Sequence, residues 1–248
     1  MTTDDRSPFD ARARTYDVLR PTDASWWEAF AQLVELGDLR GRRILDVGCG
    51  TGRLAEALTR EARAKVWGID SSDEMVAVAR TSLPTGVGVR SGTAEQLPFR
   101  DGWFERVTMS LVLHLLDRPS ALAEARRVVS DDGRIAISTF HPDHFDSYWL
   151  NPYFPSIREI DVQRFPTVET MRLELTQAGF PGSEQRRIVT EATMSRDDAL
   201  ARIRGRHIST FDLLTAEELA EGVARAERDL PEIVGQRMCR LVVVGRVG

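Results

Sequence analysis

The segment Ile44–Gly52 reads Ile-Leu-Asp-Val-Gly-Cys-Gly-Thr-Gly, a short apolar run that passes into a glycine-rich turn. Apolar residues at helical spacing follow it, at Leu54, Ala55, Leu58 and Ala62. This order predicts a buried strand, a turn and a helix. Glycines after a first strand let the backbone come close to a ligand, so a nucleotide-like molecule is expected at the carboxyl edge of the sheet.

The alternation of strands and helices continues on both sides of this segment. Upstream, a helix is predicted from Trp26 to Leu36, with Asp23 or Ser25 as its cap. Downstream, the patterns predict strands over 66–69, 87–90, 104–113, 134–140, 185–193 and 240–247, and helices starting near Ser71 or Ser72 and Pro119 and covering 168–178, 196–204 and 216–230. Helices between successive strands imply a parallel sheet with right-handed crossovers, and therefore a doubly wound α/β fold.

The domain organisation follows from the length and from where this regularity fails. The 248 residues suit one domain, 1–248, with a modest lid. Residues 40–140 form the predicted cofactor-binding half. The segments about 1–36, 141–166 and 194–236 fall outside the regular core and are the predicted lid, with 141–166 expected to be loop-like.

Composition and charge exclude several classes of protein. Hydrophobic residues make up 42% and charged residues 29% of the chain, an ordinary globular composition. The net charge of −5 argues against broad binding to nucleic acid or to an anionic membrane. Cys49 and Cys239 suggest no disulfide framework, and the polar first ten residues carry no apolar signal core. A cytoplasmic monomer or homodimer is therefore expected.

The residues around the glycine turn narrow the choice of ligand. A dinucleotide fingerprint would need a third glycine at position 53, which is Arg53, and no Gly-Lys-Ser/Thr follows to make a P-loop. Asp46, at the end of the strand, would repel a pyrophosphate and attract a cationic ligand. Asp70, at the end of the second strand, could accept hydrogen bonds from both hydroxyls of a ribose, and Met75 could lie against an adenine.

These residues resemble the motifs of class I S-adenosylmethionine-dependent methyltransferases, continuously from Arg43 to Phe140. Ile44–Gly52 is similar to the first motif of the family and Gly68–Asp70 with Ser71 to the second. The later resemblances are Gly92–Phe99, in the form of the quinone-biosynthesis methyltransferases, then 104–114, and the turn Asp132-Gly133-Arg134. The resemblance implies a seven-stranded Rossmann-like sheet of order 3-2-1-4-5-7-6 with the last strand antiparallel, and S-adenosyl-L-methionine as the cofactor.

Carried over residue by residue, the resemblance also implies a cofactor site. Gly48, Gly50 and Gly52 would border the methionine portion, with Asp46 nearby, and Asp70 would hold the ribose. The other implied members are Ser71 and Met75 beside the adenosine, Thr93, Ala94 and Glu95 along the adenine, and Ser110 under the methionine portion. Many relatives have Asp at the position of Thr93, so the adenine amine is expected to contact the Ala94 backbone or the Glu95 side chain instead.

Upstream of the core, residues 9–21 are similar to a stretch that folds over the cofactor in several small-molecule methyltransferases. This stretch includes Tyr16 and Arg20. The resemblance implies that Arg20 pairs with the methionine carboxylate.

The acceptor side is less well defined by the sequence. His114 and His141 follow the fourth and fifth strands and are candidate general bases, although a structural, hydrogen-bonded role is favoured for each. The spacing of the four histidines predicts no metal site. A substrate pocket could be lined by the aromatic residues Phe145, Tyr148, Trp149, Tyr153 and Phe154. The basic run Arg202, Arg204, Arg206 and His207 could bind an acidic substrate group or pair with nearby acids.

The expected reaction is direct displacement, in which the acceptor atom attacks the methyl group in line with the departing sulfur. The expected acceptor is an oxygen, nitrogen or carboxylate of a small molecule, with no nucleic acid and no membrane as partner. One alternative is an S-adenosylmethionine-binding regulator or partner subunit without transferase activity. The other is an NAD-linked dehydrogenase, against which Arg53 and Asp46 argue.

Overall fold

A seven-stranded sheet forms the centre of residues 9–248, the part of the chain that the computed structural model describes. Residues 1–8, within the first predicted lid segment, lie outside the described residues. The strands are β1 (Arg43–Val47), β2 (Lys65–Asp70), β3 (Gly88–Ser91), β4 (Phe104–Ser110), β5 (Val129–Phe140), β6 (Gly182–Ser195) and β7 (Ile233–Arg246). Their order is β3-β2-β1-β4-β5-β7-β6, and β7 runs antiparallel to both neighbours while the other pairs are parallel. The predicted order and the antiparallel last strand are confirmed.

The helices lie on both faces of this sheet and beyond its carboxyl edge. They are α1 (Tyr16–Leu19), α2 (Ala24–Gly37), α3 (Arg53–Glu61), α4 (Asp73–Ser82), α5 (Arg118–Val128), α6 (Asp143–Asp146), α7 (Ser156–Arg164), α8 (Val168–Gln177), α9 (Arg196–Arg204) and α10 (Ala216–Asp229). One apolar cluster packs α2 and α3 on one face through residues such as Leu33 and Leu58. Another packs α5 and α8 on the opposite face through Leu122 and Leu175. The doubly wound α/β fold is confirmed.

Helix α2 corrects part of the predicted lid. Residues 24–36 were expected to lie outside the core, but Ala29, Phe30, Leu33 and Val34 are buried in the cluster that covers the sheet. The helix has one apolar stripe, and a stripe of this kind is stabilised when it packs on a sheet. Asp23 caps α2 by accepting a hydrogen bond from Trp26 N–H at 2.9 Å.

The segment 141–166 is also more regular than expected. It contains α6 and α7, and a proline immediately precedes each helix, Pro142 and Pro155. Proline at the start of a helix loses no hydrogen bond, so these prolines begin helices instead of interrupting them. A third apolar cluster joins this segment to α9 and α10 through Phe154, Ile203, Phe211 and Ala226. We call residues 143–165 and 196–232 together the cap.

Strands β6 and β7 extend further than the sequence predicts. They pair along their whole length, from Gly182 with Arg246 to Ser195 with Ile233. Strand β5 pairs with β7 only over 240–246, so residues 189–195 and 233–239 continue beyond the sheet as a two-stranded ribbon. The prediction missed this half of β7 because Gly235, Gln236 and Arg237 interrupt the apolar run. The ribbon leads into α9 and so connects the cap to the sheet. Across residues 9–248, no helix combines the length and the apolar character needed to cross a membrane.

Candidate functional site

A cavity of about 540 Å³ lies between the carboxyl edge of the sheet and the cap. Its volume is within the range of small-molecule sites, roughly 300–1,000 Å³. One half of its wall is the glycine turn after β1 with the ends of β2 and β4, and the other half is largely aromatic and comes from the end of β5, the cap and β7. The segment 9–20, which we call the N-terminal strap, closes a further side.

The glycine turn has a backbone that other residues would adopt only with strain. Gly48, Gly50 and Gly52 have φ values of 69°, 54° and 87°. A Cβ on Gly48 would come within 2.5 Å of Val112, and one on Gly52 within 2.8 Å of Leu83, whereas one on Gly50 would meet no atom within 4 Å. Gly48 and Gly52 are therefore required for packing, and Gly50 leaves open space at the wall of the cavity.

Asp46 places a buried carboxylate beside this turn. Its side chain is 1% exposed, and Oδ1 accepts a hydrogen bond from Thr108 Oγ1 at 2.8 Å. Oδ2 is buried and has no hydrogen-bond partner among the described residues. Burial raises the pKa of Asp46 to about 7, against the lowering effect of the Thr108 hydrogen bond. A cationic group in the cavity would supply the missing partner of Oδ2.

Asp70 holds the turn from the neighbouring strand. Its Oδ2 accepts from Gly50 N–H at 2.8 Å and its Oδ1 from Ser72 N–H at 2.9 Å. Burial raises its pKa, although both backbone hydrogen bonds oppose that effect. Each carboxylate oxygen can accept a further hydrogen bond. The cap of α4 is Ser72, whose Oγ accepts from Met75 N–H at 3.1 Å, and this settles the choice left open between Ser71 and Ser72.

The N-terminal strap contacts both halves of the wall. Asp17 accepts a hydrogen bond from Thr51 Oγ1 at 2.9 Å and forms an ion pair with Arg53, next to the glycine turn. Arg20 donates hydrogen bonds to the His207 carbonyl in the cap and to the Tyr16 hydroxyl. These contacts place Arg20 and Tyr16 at the cavity.

Most of the residues predicted for the cofactor lie on the wall of this one cavity. They are Tyr16, Arg20, Asp46, Gly48, Gly50, Asp70, Ser71, Met75, Thr93, Ala94, Glu95 and Ser110. Gly52 is not on the wall, because it is the residue at which α3 begins, packed against Leu83.

The two candidate bases are separated by the structure. His114 lies on the cavity wall, stacked on Phe165 with ring centroids 4.1 Å apart. His141 is not on the wall, and its Nδ1 instead accepts a hydrogen bond from Asp143 N–H at 3.2 Å. The peptide after β5 turns away into α6, so the position of His141 at a strand end did not bring it to the ligand edge. The prediction of His141 as a general base is therefore corrected, because the residue lies outside the cavity wall.

Two further histidines line the aromatic half, and the sequence did not single them out as bases. His144 stacks on Phe140 with centroids 4.1 Å apart, and His207 Nε2 lies 3.2 Å from the Tyr148 hydroxyl. Burial, with smaller contributions from nearby arginines, lowers the pKa of His114, His144 and His207 to about 3 each. All three are neutral at physiological pH, so each presents hydrogen-bonding nitrogens and no positive charge.

The aromatic residues and the basic run are only partly at the site. Phe145, Tyr148 and Trp149 line the cavity, whereas Tyr153 and Phe154 belong to the apolar cluster of the cap. Of the basic run, Arg202 and His207 reach the wall, while Arg204 pairs with Glu227 and Arg206 with Asp212. The sequence also gave no indication of Asp161 and Arg240, which line the same half.

Comparison with known proteins identifies the family. The family described as "Methyltransferase domain" matches residues 45–137. The malonyl-[acyl-carrier protein] O-methyltransferase of Geobacter sulfurreducens is 33% identical over 191 residues, which cover 72% of this chain and 70% of the relative. The chain belongs to the class I S-adenosylmethionine-dependent methyltransferases. It is an enzyme of this family, and its cofactor is S-adenosylmethionine.

Two further comparisons agree with this family. The ubiquinone/menaquinone biosynthesis C-methyltransferase of Burkholderia mallei is 30% identical over 202 residues, covering 69% of this methyltransferase and 82% of the relative. A putative methyltransferase from an antibiotic biosynthesis pathway of Anabaena variabilis superposes with a TM-score of 0.65 at 22% identity, over 88% of this chain and 96% of the other. The second likeness shows a shared fold.

The residues of the cavity fit the cofactor of this family. The methionine portion of S-adenosylmethionine carries an ammonium group, and the unpaired Oδ2 of Asp46 is a buried acceptor for such a charge. The open space at Gly50 leaves room for a ligand against the backbone of the turn.

Proposed function

We propose that this methyltransferase transfers a methyl group to an oxygen, nitrogen or carboxylate of a small-molecule acceptor by direct displacement. The observation that carries the proposal is the continuity of the cavity, in which the glycine turn and the aromatic half share one space of about 540 Å³. The names of the two relatives, an O-methyltransferase and a C-methyltransferase, cover different acceptor atoms, so the acceptor is inferred from the cavity.

The cofactor half is assigned as follows. Asp46 would bind the ammonium of the methionine portion, which Gly48 and Gly50 border, and Asp70 would accept hydrogen bonds from the ribose hydroxyls. Arg20 would pair with the methionine carboxylate, with Tyr16 holding its guanidinium. The remaining assignments are Ser71 and Met75 beside the adenosine, Thr93, Ala94 and Glu95 along the adenine, and Ser110 beneath the methionine portion.

In the acceptor half, the protein orients the acceptor and excludes water. The bound cofactor supplies a methyl group on a cationic sulfur, which is reactive without further activation. His114, neutral and stacked on Phe165, has a buried Nδ1 with no partner among the described residues. A pKa of about 3 makes His114 a poor proton acceptor but leaves it able to accept a hydrogen bond. We therefore assign His114 to orienting the acceptor. Methyl transfer to a carboxylate or an amine needs no strong base.

The strap and the cap are assigned as the lid. Both contact the cavity and each other, through Arg20 and the His207 carbonyl and through Arg12 and Asp212. The strap and the cap both contribute to the wall of the cavity, so an acceptor enclosed between them has to be a small molecule.

The test is transfer from S-adenosylmethionine carrying a tritiated methyl group into a fractionated extract. The expected result is label in the small-molecule fraction, with S-adenosylhomocysteine formed in equal amount. Asp70→Ala is the control with impaired cofactor binding. Label confined to protein or nucleic acid would contradict a small-molecule acceptor. Binding of S-adenosylhomocysteine with no turnover on any fraction would favour the regulator or partner subunit.

A further inference from the structure

Arg240 is a buried cation on the wall of the cavity, and no acid within the described residues pairs with it. Its side chain lies opposite Phe140 in the β5–β7 ladder and is 8% exposed. The guanidinium lies over the Phe140 ring, 5.5 Å from its centroid. No ion pair or side-chain hydrogen bond is formed by Arg240 within residues 9–248, and its buried Nε has no partner. Burial lowers its pKa to about 10, so the side chain is charged at neutral pH. The charge of Asp23 opposes this lowering without forming an ion pair, and the charges of Arg53 and Arg20 add to it.

Arg106 is a second buried arginine, and its hydrogen-bond partners show how the protein compensates a buried guanidinium that has a structural role. Arg106 is 4% exposed, and its guanidinium donates to the Gly37 carbonyl at 2.9 Å, to Asp38 Oδ2 at 2.6 Å and to the Glu105 carbonyl at 2.7 Å. The charge of Arg106 is therefore compensated inside the protein. Arg240 has no comparable set of partners, and a buried charge without partners costs folding free energy. The missing partner is expected to be part of a ligand.

The position of Arg240 assigns that ligand to the acceptor half. Strand β7 is three strands from β1, which corresponds to about 14 Å at the usual spacing of strands. Asp46 and Asp70, proposed for the cofactor, lie at the ends of β1 and β2. Arg240 lies over Phe140 and close to His144, whose pKa it helps to lower, and the charges of Arg20 and Arg53 also reach it from the side of the glycine turn.

We propose that Arg240 binds a carboxylate on the acceptor, whose apolar body lies among Phe140, Phe145 and Trp149. The proposal rests on the proposed function, because it names the substrate class of that cavity. A planar guanidinium held over an aromatic ring can still form two parallel hydrogen bonds to a carboxylate along its edge. Such a pair engages both carboxylate oxygens, so this carboxylate anchors the acceptor and a different atom receives the methyl group.

The first test uses matched pairs of carboxylates and neutral amides on protein saturated with S-adenosylhomocysteine. The panel is indole-3-acetate with indole-3-acetamide, 3-phenylpropanoate with 3-phenylpropanamide, and benzoate with benzamide, each titrated by calorimetry. The expected result is tighter binding of the carboxylate by roughly 10- to 100-fold. Arg240→Met and Arg240→Gln should abolish this preference and leave the affinity for S-adenosylhomocysteine unchanged. Arg204→Met, which removes an exposed arginine paired with Glu227, should keep the preference.

The second test needs no ligand. Because the guanidinium is buried with no ion pair or side-chain hydrogen bond among the described residues, and only the charge of Asp23 and the Phe140 ring offset its burial there, Arg240→Met should raise the melting temperature of the ligand-free protein by roughly 2–8 °C, and Arg204→Met should not. A lower melting temperature in Arg240→Met would show a structural role and overturn the proposal. A panel without preference for carboxylates, or a loss of S-adenosylhomocysteine affinity in both Arg240 variants, would overturn it as well. A carboxylate preference in a protein that transfers no methyl group would leave the anion site standing and refute the proposed function alone.

Discussion

Asp46 is the residue whose ionisation is most closely tied to the proposed cofactor contact. Burial raises its pKa from 3.8 to about 7, so the folded protein binds this proton more tightly than the unfolded chain. The contribution of Asp46 to folding stability is therefore fully present below pH ~4 and is lost as the pH rises to about 7. A cationic ligand requires the ionised form and would be favoured by the same rise in pH.

The affinity for S-adenosylhomocysteine, which keeps the ammonium group, should accordingly increase by about tenfold between pH 6 and pH 8. Calorimetric titration across this range measures the effect. Asp46→Asn should bind more weakly and show a flat profile. Thr108→Val, which removes the hydrogen bond that lowers the pKa of Asp46, should move the midpoint to higher pH. An identical pH profile in wild type and Asp46→Asn would show that Asp46 does not meet the ammonium.

Asp70 combines a structural and a proposed binding role. Asp70→Ala should weaken the binding of S-adenosylhomocysteine by roughly 1–3 kcal/mol, the scale for hydrogen bonds to a charged group. Asp70→Asn keeps the shape but loses one acceptor, so its loss should be smaller. Asp73→Ala, on an exposed residue of the next helical turn, is the control and should bind normally. Unchanged affinity in Asp70→Ala would exclude the ribose contact.

The two histidines predicted as bases now differ in their expected effects. His114→Ala should reduce the rate of methyl transfer by roughly 10²-fold or less, because an orienting hydrogen bond contributes less than a proton transfer of 10²–10⁴-fold. His141→Ala should leave the rate close to that of the wild type, since His141 bonds to the α6 backbone outside the cavity. Steady-state kinetics on both variants measures this. Equal losses in the two variants would contradict the separation that the structure makes.

At the scale of the element, the three glycines of the turn after β1 have different roles: Gly48 and Gly52 are needed for packing, and Gly50 leaves room for the ligand. Gly52→Ala would place a Cβ 2.8 Å from Leu83 with φ at 87°, so it should lower the melting temperature. Gly50→Ala meets no atom within 4 Å, and its cost to folding should be about 1 kcal/mol from the positive φ alone. Its Cβ would instead enter the open space, so the affinity for S-adenosylhomocysteine should fall more than the stability does. Thermal denaturation and calorimetry on both variants separate the two effects, and a reversed order would contradict the assignment of Gly50.

At the scale of the whole molecule, the strap couples the glycine turn to the cap. Asp17 contacts Thr51 and Arg53 near the turn, while Arg12 and Arg20 reach Asp212 and the His207 carbonyl in the cap. A ligand bound in the cavity should therefore order the strap and the cap together.

Hydrogen exchange with and without S-adenosylhomocysteine tests this coupling. Exchange should slow both in the strap, residues 9–20, and in the cap over 196–213. Helix α8, packed on the far face of the sheet, should exchange at the same rate in both states and serves as the internal control. Protection limited to the glycine turn would show that strap and cap do not act as a lid.

The sequence by itself determined the alternation of strands and helices, because each element carries its own apolar pattern. The order of the strands followed from the resemblance of its motifs to those of the family. Asp46, the glycines and Asp70 could be predicted as well, since the carboxyl ends of neighbouring parallel strands meet at one edge. These residues lie close together in the sequence, so their pattern can be recognised without knowing how distant elements pack.

The tertiary structure alone decided the acceptor half. Arg240 and His144 are about a hundred residues apart in the chain, and they meet only because β7 inserts antiparallel beside β5. The same packing turned His141 away from the cavity and made the 24–36 segment a core helix instead of a lid. Contacts of this kind depend on how elements pack across the sheet, and no periodicity within a single segment specifies them.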